Sequence, residues 1–259
     1  MNAQNARWAP YGLQGGRRGG DDQPNDGPEI IVIDQRQLRA FIYRVYMATV
    51  VLCLLSAIPW IILSALSVNV YKVIPVPPFV WIILAFIILT VLGCVRQTNE
   101  LTLLCWGLVL GSLFFITLYG AYFMYLVSAL VLVMCIGISG CLLALLHLYG
   151  AKSPAPLLPS ILCTCCIFLL ATITMLVLII LYLVIQDLRY LLGFAIVFVI
   201  LIVFMAPFQA RYITGRLQQV PYGETASCAN GIYLHFVFLV SCMLMFALYY
   251  IHVNNKEEE

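Results

Sequence analysis

The sequence predicts an all-α membrane protein, a bundle of seven transmembrane helices with a cytoplasmic N-terminus. Hydrophobic residues make up 64% of the 259-residue chain and charged residues only 9%, whereas soluble domains carry about 25% charged residues. The apolar residues are concentrated between Val45 and Ile251, in runs long enough to cross about 30 Å of hydrocarbon at about 1.5 Å per residue. Most of the chain is therefore expected to be surrounded by lipid.

Seven apolar segments are predicted to be transmembrane helices, separated mainly by proline clusters and polar stretches. The uncharged run 101–146 is too long for one span, and Tyr119-Gly120 is the most economical place to break it. Residues 1–40 are expected to form a disordered cytoplasmic tail, 41–252 the membrane domain and 253–259 a short acidic tail. The predicted spans are 45–66, 79–95, 101–118, 121–146, 161–185, 190–205 and 232–251.

The distribution of lysine and arginine predicts the orientation. With the N-terminus in the cytoplasm, ten of the 13 basic residues lie on the cytoplasmic side, as the positive-inside rule requires. The opposite side receives Lys72, Arg189 and Lys256. A G-protein-coupled receptor has the reverse orientation and is not expected. The net charge of +2 is too small and too scattered to indicate nucleic-acid binding.

Ten cysteines are present, and nearly all lie within apolar runs. We interpret them as small hydrophobic residues of the membrane interior, not as a disulfide framework. Cys163-Thr164-Cys165-Cys166 has no nearby histidine or second cysteine pair to complete a metal site. Palmitoylation near a membrane end is the favoured special role of this cluster. No metal or cofactor is expected.

Ionisable residues are scarce inside the predicted spans, and none of the 11 acidic residues lies in the middle of one. A conventional proton relay or strongly charged cation site is therefore not indicated. Glu224 in the last loop is the remaining candidate for a cation or gate residue. His147 is expected to cap the end of the fourth span. His235 is expected about one turn into the last helix, where a structural hydrogen bond and a ligand or switch role both remain open.

Small residues in lipid-embedded helices allow close helix packing. Gly107 and Gly111 form one such pair, and Gly137, Ser139 and Gly140 form a second group. We predict that these faces hold helices of this chain or of other membrane proteins. The second group is also similar to the nucleophile segment of rhomboid intramembrane proteases, with Ser139 as the nucleophile. Packing is the favoured interpretation, so no catalytic residue is expected.

Two segments resemble the transmembrane BAX inhibitor motif family, which includes the lifeguard proteins. The family's basic and aromatic approach to span one is matched by Arg39, Phe41, Arg44 and Tyr46. Its acidic Pro-x-Glu segment, followed by Leu-Tyr-Leu-Asp, is similar to residues 220–224 and 232–235. The resemblance implies seven spans, a cytoplasmic N-terminus and residence in the endoplasmic reticulum, Golgi or related membranes.

The resemblance also implies two functional positions at which this chain departs from the family. Members carry two aspartates that share a proton and help to gate the pore in calcium-leaking members, and the matching residues are Gln209 and His235. An amide and an imidazole can hydrogen-bond but cannot form a proton-sharing carboxylate dyad. Loss of both acids with the scaffold retained resembles the divergent seven-span cytomegalovirus members. An unusual cellular paralogue remains the alternative.

Three functions follow as hypotheses. The leading one is a non-enzymatic multi-pass protein that modulates the cell or a host through lateral contacts with other membrane proteins. The family implies apoptosis restraint, altered trafficking or removal of immune ligands from the surface. The second is a calcium or other cation leak of intracellular membranes that lost its di-aspartate gate. The third is an intramembrane serine protease. The expected partners are the lipid bilayer, other membrane proteins and, for the leak, calcium.

Overall fold

A computed structural model describes residues 35–95, 101–153, 161–216 and 222–257, and within these ranges the chain is helical, with no strand. The short segments between helices are turns and extended connections. The helices are α1 (Gln35–Ala65), α2 (Val70–Val73), α3 (Pro78–Cys94), α4 (Thr102–Met124), α5 (Ala129–Lys152), α6 (Ile161–Ile185), α7 (Leu188–Ile213) and α8 (Thr225–Glu257).

Six of the described helices, α1 and α4 to α8, are long and apolar enough to cross a membrane. The apolar α3 is shorter, with 17 residues, and α2 is a single turn. A helix in lipid satisfies its own backbone hydrogen bonds, which is why such apolar runs form helices there. The chain therefore has the all-helical architecture of an integral membrane protein.

The predicted break at Tyr119-Gly120 is wrong, because α4 continues through both residues. Gly120 serves close packing instead: a Cβ there would lie 2.6 Å from an indole carbon of Trp60 on α1. The chain turns just before Ser128, whose side chain accepts a backbone hydrogen bond in the first turn of α5. A capping serine, and not the glycine, marks the boundary between these two helices.

Other helices extend beyond their predicted ends. α1 begins at Gln35, so residues 35–40 are helical and are not part of a disordered tail. α7 continues beyond the predicted span end at 205, through Gln209, to Ile213. α8 begins at Thr225, so His235 lies almost three turns into that helix and not one turn. The remaining predicted tail residues, 1–34 and 258–259, lie outside the described ranges.

α8 occupies the centre of the bundle. It contacts α1, α4, α5 and α7, whereas α3 packs chiefly on α4 and α6 chiefly on α7. The outer position of α6 leaves large apolar side chains exposed along its length, including Leu162, Leu169 and Val184. Exposed apolar surface of this extent is typical of a membrane-embedded face.

α1 and α4 run parallel to each other. Ser56 Oγ lies 2.8 Å from Thr117 Oγ1, and further along α1 the Ser64 hydroxyl donates to the Val127 carbonyl just beyond α4, at 2.7 Å. Both contacts advance in the same direction along the two helices. The chain between α1 and α4 must therefore return from one end of the bundle to the other.

α3 provides that return, because it runs antiparallel to α4. Near the start of α3, the Trp81 indole N–H donates to the Tyr122 hydroxyl at 3.0 Å, close to the end of α4. Near the end of α3, Ile88 lies beside Gly111, where a Cβ would be 3.3 Å from the isoleucine side chain. The order of these contacts is reversed along the two helices.

A hydrogen-bonded group joins α1, α4 and α8 in the middle of the bundle. Ser56 Oγ lies 2.7 Å from the Tyr233 hydroxyl and 2.8 Å from Thr117 Oγ1. The Trp60 indole N–H donates to the Thr117 carbonyl at 2.8 Å. Trp60 and Tyr233 are among the largest fully buried side chains. Interhelical hydrogen bonds of this kind fix the register of helices in an apolar environment.

Candidate functional site

Gln209 on α7 lies against the beginning of α8. Its amide nitrogen donates to the Cys228 carbonyl at 3.2 Å, and a Cβ at Gly231 would collide with that same nitrogen. Cys228, Gly231 and His235 are spaced by three and then four residues, so they share one face of α8. The two positions matched to the family dyad are therefore on neighbouring helices, with His235 about one turn beyond the Gln209 contact.

His235 has a second histidine as its neighbour. His147 on α5 is close enough for the two imidazoles to interact electrostatically, and His147 Nδ1 lies 3.1 Å from the Tyr46 hydroxyl on α1. His147 is only 4% exposed, and α5 continues past it to Lys152. The prediction that His147 caps the end of a span is therefore wrong, because its side chain lies inside the bundle.

Gln209, His147, His235 and Tyr46 together form a polar cluster contributed by four helices. Three of its atoms are buried without a hydrogen-bond partner in the described part of the chain: Gln209 Oε1, His147 Nε2 and His235 Nδ1. Leaving a buried polar atom unpaired costs about 1–3 kcal/mol. The amide oxygen accepts hydrogen bonds, and each imidazole nitrogen donates or accepts according to its tautomer. A small hydrogen-bonding guest such as water or a cation would satisfy this set.

Pro207 interrupts the backbone hydrogen-bond pattern of α7 two residues before Gln209. Because proline has no N–H, the carbonyl of Val203 lacks its usual partner within α7. Pro207 also lies against α5, where a Cβ at Gly150 would be 2.6 Å from the Pro207 Cα atom. The crossing of α5 and α7 beside the polar cluster therefore requires glycine at position 150.

In the part of the chain that the structure describes, the Glu224 side chain is not hydrogen-bonded to the polar cluster. Its Oε2 accepts a hydrogen bond of 2.9 Å from the Tyr212 hydroxyl, which connects the end of α7 to the residue just before α8. Gln209 and His235 thus share a face of the α7–α8 pair, whereas Glu224 is paired elsewhere. Among the described residues, no group of three or more His, Cys, Asp or Glu side chains is placed to hold a metal ion.

The four residues that resemble the BAX inhibitor motif family's approach to span one lie partly inside the bundle and partly on its surface. Phe41 is buried against Tyr222, with ring centroids 5.7 Å apart, and Tyr46 reaches the polar cluster. Arg39 and Arg44 are exposed. The aromatic members of the segment therefore hold α1 to the bundle, while the basic members face outward.

The predicted small-residue faces have different surroundings. Gly111 packs against α3, but Gly107, Gly137 and Gly140 have no described atom within 4 Å of an added Cβ and are open to the outside. Ser139 turns inward, is fully buried, and does not share the outward face of its neighbours. Its hydroxyl has no hydrogen-bond partner among the described residues, so no histidine base is bonded to it as in an activated serine nucleophile.

Sequence reasoning missed the contact between Tyr46 and His147. Tyr46 was matched only as part of the span-one segment, and His147 was interpreted as a helix cap. Both residues are polar aromatics at the predicted cytoplasmic ends of their spans. Comparison of their depths in the membrane could therefore have suggested the pair, although no short motif contains it.

No protein-family model, curated protein or solved structure matches this chain. Its class therefore follows from the fold and the composition: it is an all-helical membrane bundle with a polar cluster among its central helices.

Proposed function

We propose that the protein crosses the membrane seven times, with its N-terminus in the cytoplasm. Since α1 and α4 are parallel, the chain between them has to recross the bilayer, and α3 is the apolar helix that runs back. The 17 residues of α3 extend about 26 Å, a length that modest bilayer thinning accommodates. The excess of basic residues on one side supports the orientation.

Within this architecture, the proposed function is non-enzymatic modulation of a cell or host through lateral contacts with other membrane proteins. The observation that carries it is the outward-open pair Gly137 and Gly140 on α5, which has no described atom of this chain against it. The bundle makes its own close crossings with other glycines, such as Gly120 and Gly150. The open pair is therefore available to a helix of another protein, because glycine permits close approach in lipid.

The biological outcomes proposed for such contacts are those that the BAX inhibitor motif resemblance implies. They are restraint of apoptosis, altered trafficking and removal of immune ligands from the cell surface. Lateral contact with another membrane protein would bring about each of them without a catalytic residue.

A double variant, Gly137→Leu with Gly140→Leu, tests this interface. An added Cβ at either position has no described atom within 4 Å, so the bundle is expected to accept leucine there and remain folded. Wild-type protein is expected to deplete specific proteins from the cell surface and to co-purify with them, and the double variant to lose both effects. Gly93→Leu, at an exposed and equally open position on α3, is the matched control. Retained depletion by the double variant at equal abundance would show that the interface is wrong.

A cation leak of intracellular membranes is the second candidate, because the unpaired atoms of the polar cluster lie among the central helices. Luminal calcium in the endoplasmic reticulum, followed with a targeted indicator, tests it in cells expressing wild type or the Gln209→Asp/His235→Asp double variant. A lowered store with wild type supports the leak. A lowered store with the variant alone indicates a pore that lost its acidic gate. An unchanged store with both, at equal abundance, argues against a leak.

A further inference from the structure

Three cysteines lie on the lipid-facing sides of the first turns of α6. Cys163, Cys165 and Cys166 are all exposed, whereas Thr164 among them is 3% exposed. Thr164 and the buried Met175 lie on one face, because 11 residues correspond to about three full turns. At about 100° per residue, Cys163 and Cys165 flank that buried face and Cys166 lies nearly opposite it.

The depth of these cysteines suits modification at the membrane surface. α6 has 25 residues, which extend about 37 Å and exceed the hydrocarbon core of about 30 Å. The first turns of α6 therefore reach the interface between lipid and water. The end of α5 at Lys152 and the segment after α7 at Arg216 lie at this same end, where Arg216 donates to the Ser153 carbonyl at 2.7 Å. Basic residues at this level favour the anionic cytoplasmic leaflet.

We propose that the thiols of Cys163, Cys165 and Cys166 are a site of S-acylation by long-chain fatty acyl groups. This inference rests on the proposed orientation, which places the start of α6 on the cytoplasmic side. The cysteine sulfur attacks the carbonyl carbon of a fatty acyl-coenzyme A, and the bond from that carbon to the coenzyme A sulfur breaks. A new thioester forms, and coenzyme A leaves as a thiol with the proton lost by cysteine.

The position of α6 gives the modification a structural role. α6 packs chiefly on α7 and exposes most of its large side chains. An acyl chain attached near its start would lie along that exposed apolar surface in the lipid. It would hold the cytoplasmic end of a helix whose main neighbour within the bundle is α7.

Other cysteines of the chain provide internal controls. Cys105 lies near the start of α4, at the same end of the bundle, but is 2% exposed. Cys141 is exposed but lies halfway along α5, in the middle of the bilayer. An acyltransferase acting at the interface reaches neither residue. Cys94, exposed at the end of α3 on the cytoplasmic side, is expected to be a secondary site.

Acyl exchange on the full-length protein from cells tests the proposal. Free thiols are blocked, thioesters are cleaved with hydroxylamine, and each released thiol receives a polyethylene-glycol maleimide that shifts the band. Wild type is expected to give a hydroxylamine-dependent ladder. Replacement of Cys163, Cys165 and Cys166 by serine should reduce this ladder to at most one tag, which Cys94→Ser removes. Cys105→Ser and Cys141→Ser should leave the ladder unchanged.

A wild-type protein without hydroxylamine-dependent tags, or an unchanged ladder in the triple variant, would overturn the proposal. The same triple replacement by alanine, at matched abundance, separates loss of the thiols from an effect of serine. An N-terminal epitope, probed after selective permeabilisation of the plasma membrane, reports the orientation separately. A cytosolic epitope without acylation refutes acylation alone. A luminal epitope refutes the orientation. Acylation without depletion of surface proteins refutes only the lateral-contact function.

Discussion

The Tyr46 hydroxyl and His147 Nδ1 lie 3.1 Å apart and join α1 to α5 across a separation of 101 residues. Either the Tyr46 hydroxyl or His147 Nδ1 can be the donor in this hydrogen bond. The identity of the donor determines whether His147 Nε2 is a donor or an acceptor towards the rest of the polar cluster. If Tyr46 donates, His147 Nε2 carries the remaining proton and needs an acceptor. If His147 donates, its Nε2 presents a lone pair and needs a donor.

Tyr46→Phe is expected to lower the free energy of unfolding by about 0.5–1.5 kcal/mol, because it removes the one side-chain hydrogen-bond partner that His147 has among the described residues. The thermal midpoint of the purified protein in mild detergent measures the effect. Tyr43→Phe is the matched control, since Tyr43 lies on the same helix with 65% exposure. Equal midpoints for the two variants would contradict a structural role for the contact.

Gly150→Ala is expected to destabilise the bundle by about 1–3 kcal/mol through overpacking. The added methyl would meet the backbone of Pro207, which cannot move away as a flexible side chain can. Gly140→Ala on the same helix has open space and serves as the control. Unfolding in increasing denaturing detergent compares the two. If Gly140→Ala is as unstable as Gly150→Ala, overpacking against Pro207 is not the cause of the instability.

Gly231→Ala is expected to have a smaller effect than Gly150→Ala. The added methyl would meet the end of the Gln209 side chain, which can rotate away at the expense of its hydrogen bond to the Cys228 carbonyl. The expected loss is about 0.5–1.5 kcal/mol, the usual net value of one hydrogen bond. If Gly231→Ala causes no further loss of stability in a chain that already carries Gln209→Ala, the contact is confirmed. If the two losses of stability add, the effect of Gly231→Ala comes from another contact.

An ordered water molecule is expected among Gln209 Oε1, His147 Nε2 and His235 Nδ1, because these three buried atoms have no partner in the described part of the chain. A high-resolution experimental structure should show density within hydrogen-bonding distance of at least two of them. Direct bonding among the three side chains, with no density between them, would contradict the expectation.

The N-terminus and the C-terminus are expected on opposite sides of the membrane, because the proposed number of crossings, seven, is odd. A C-terminal tag that contains an Asn-x-Thr sequon should be glycosylated and shift on treatment with a glycosidase. The same tag at the N-terminus should remain unmodified. Two unmodified tags would indicate an even number of crossings and would remove α3 from the membrane-spanning set.

The helices could largely be predicted, since long apolar runs are a strong local signal, but their contacts could not. Gly120 has the same local sequence context whether it breaks a helix or accommodates Trp60, and only the tertiary fold distinguishes the two. His147 was misassigned because its burial depends on α1. For the candidate site, only the family resemblance paired Gln209 with His235, and the predicted sixth span ended at 205, before Gln209. The sequence did not reveal that His147 lies within electrostatic range of His235, because the two residues are distant in the chain.

The central position of α8 has a consequence for biosynthesis. This helix contacts α1, α4, α5 and α7, yet the ribosome produces it after all of them. The earlier helices must therefore enter the membrane with their inner faces, including Ser56 and Thr117, still lacking the Tyr233 hydroxyl. Until α8 inserts, the nascent protein is an incomplete assembly, and it is during this interval that membrane chaperones and degradation machinery would compete for it.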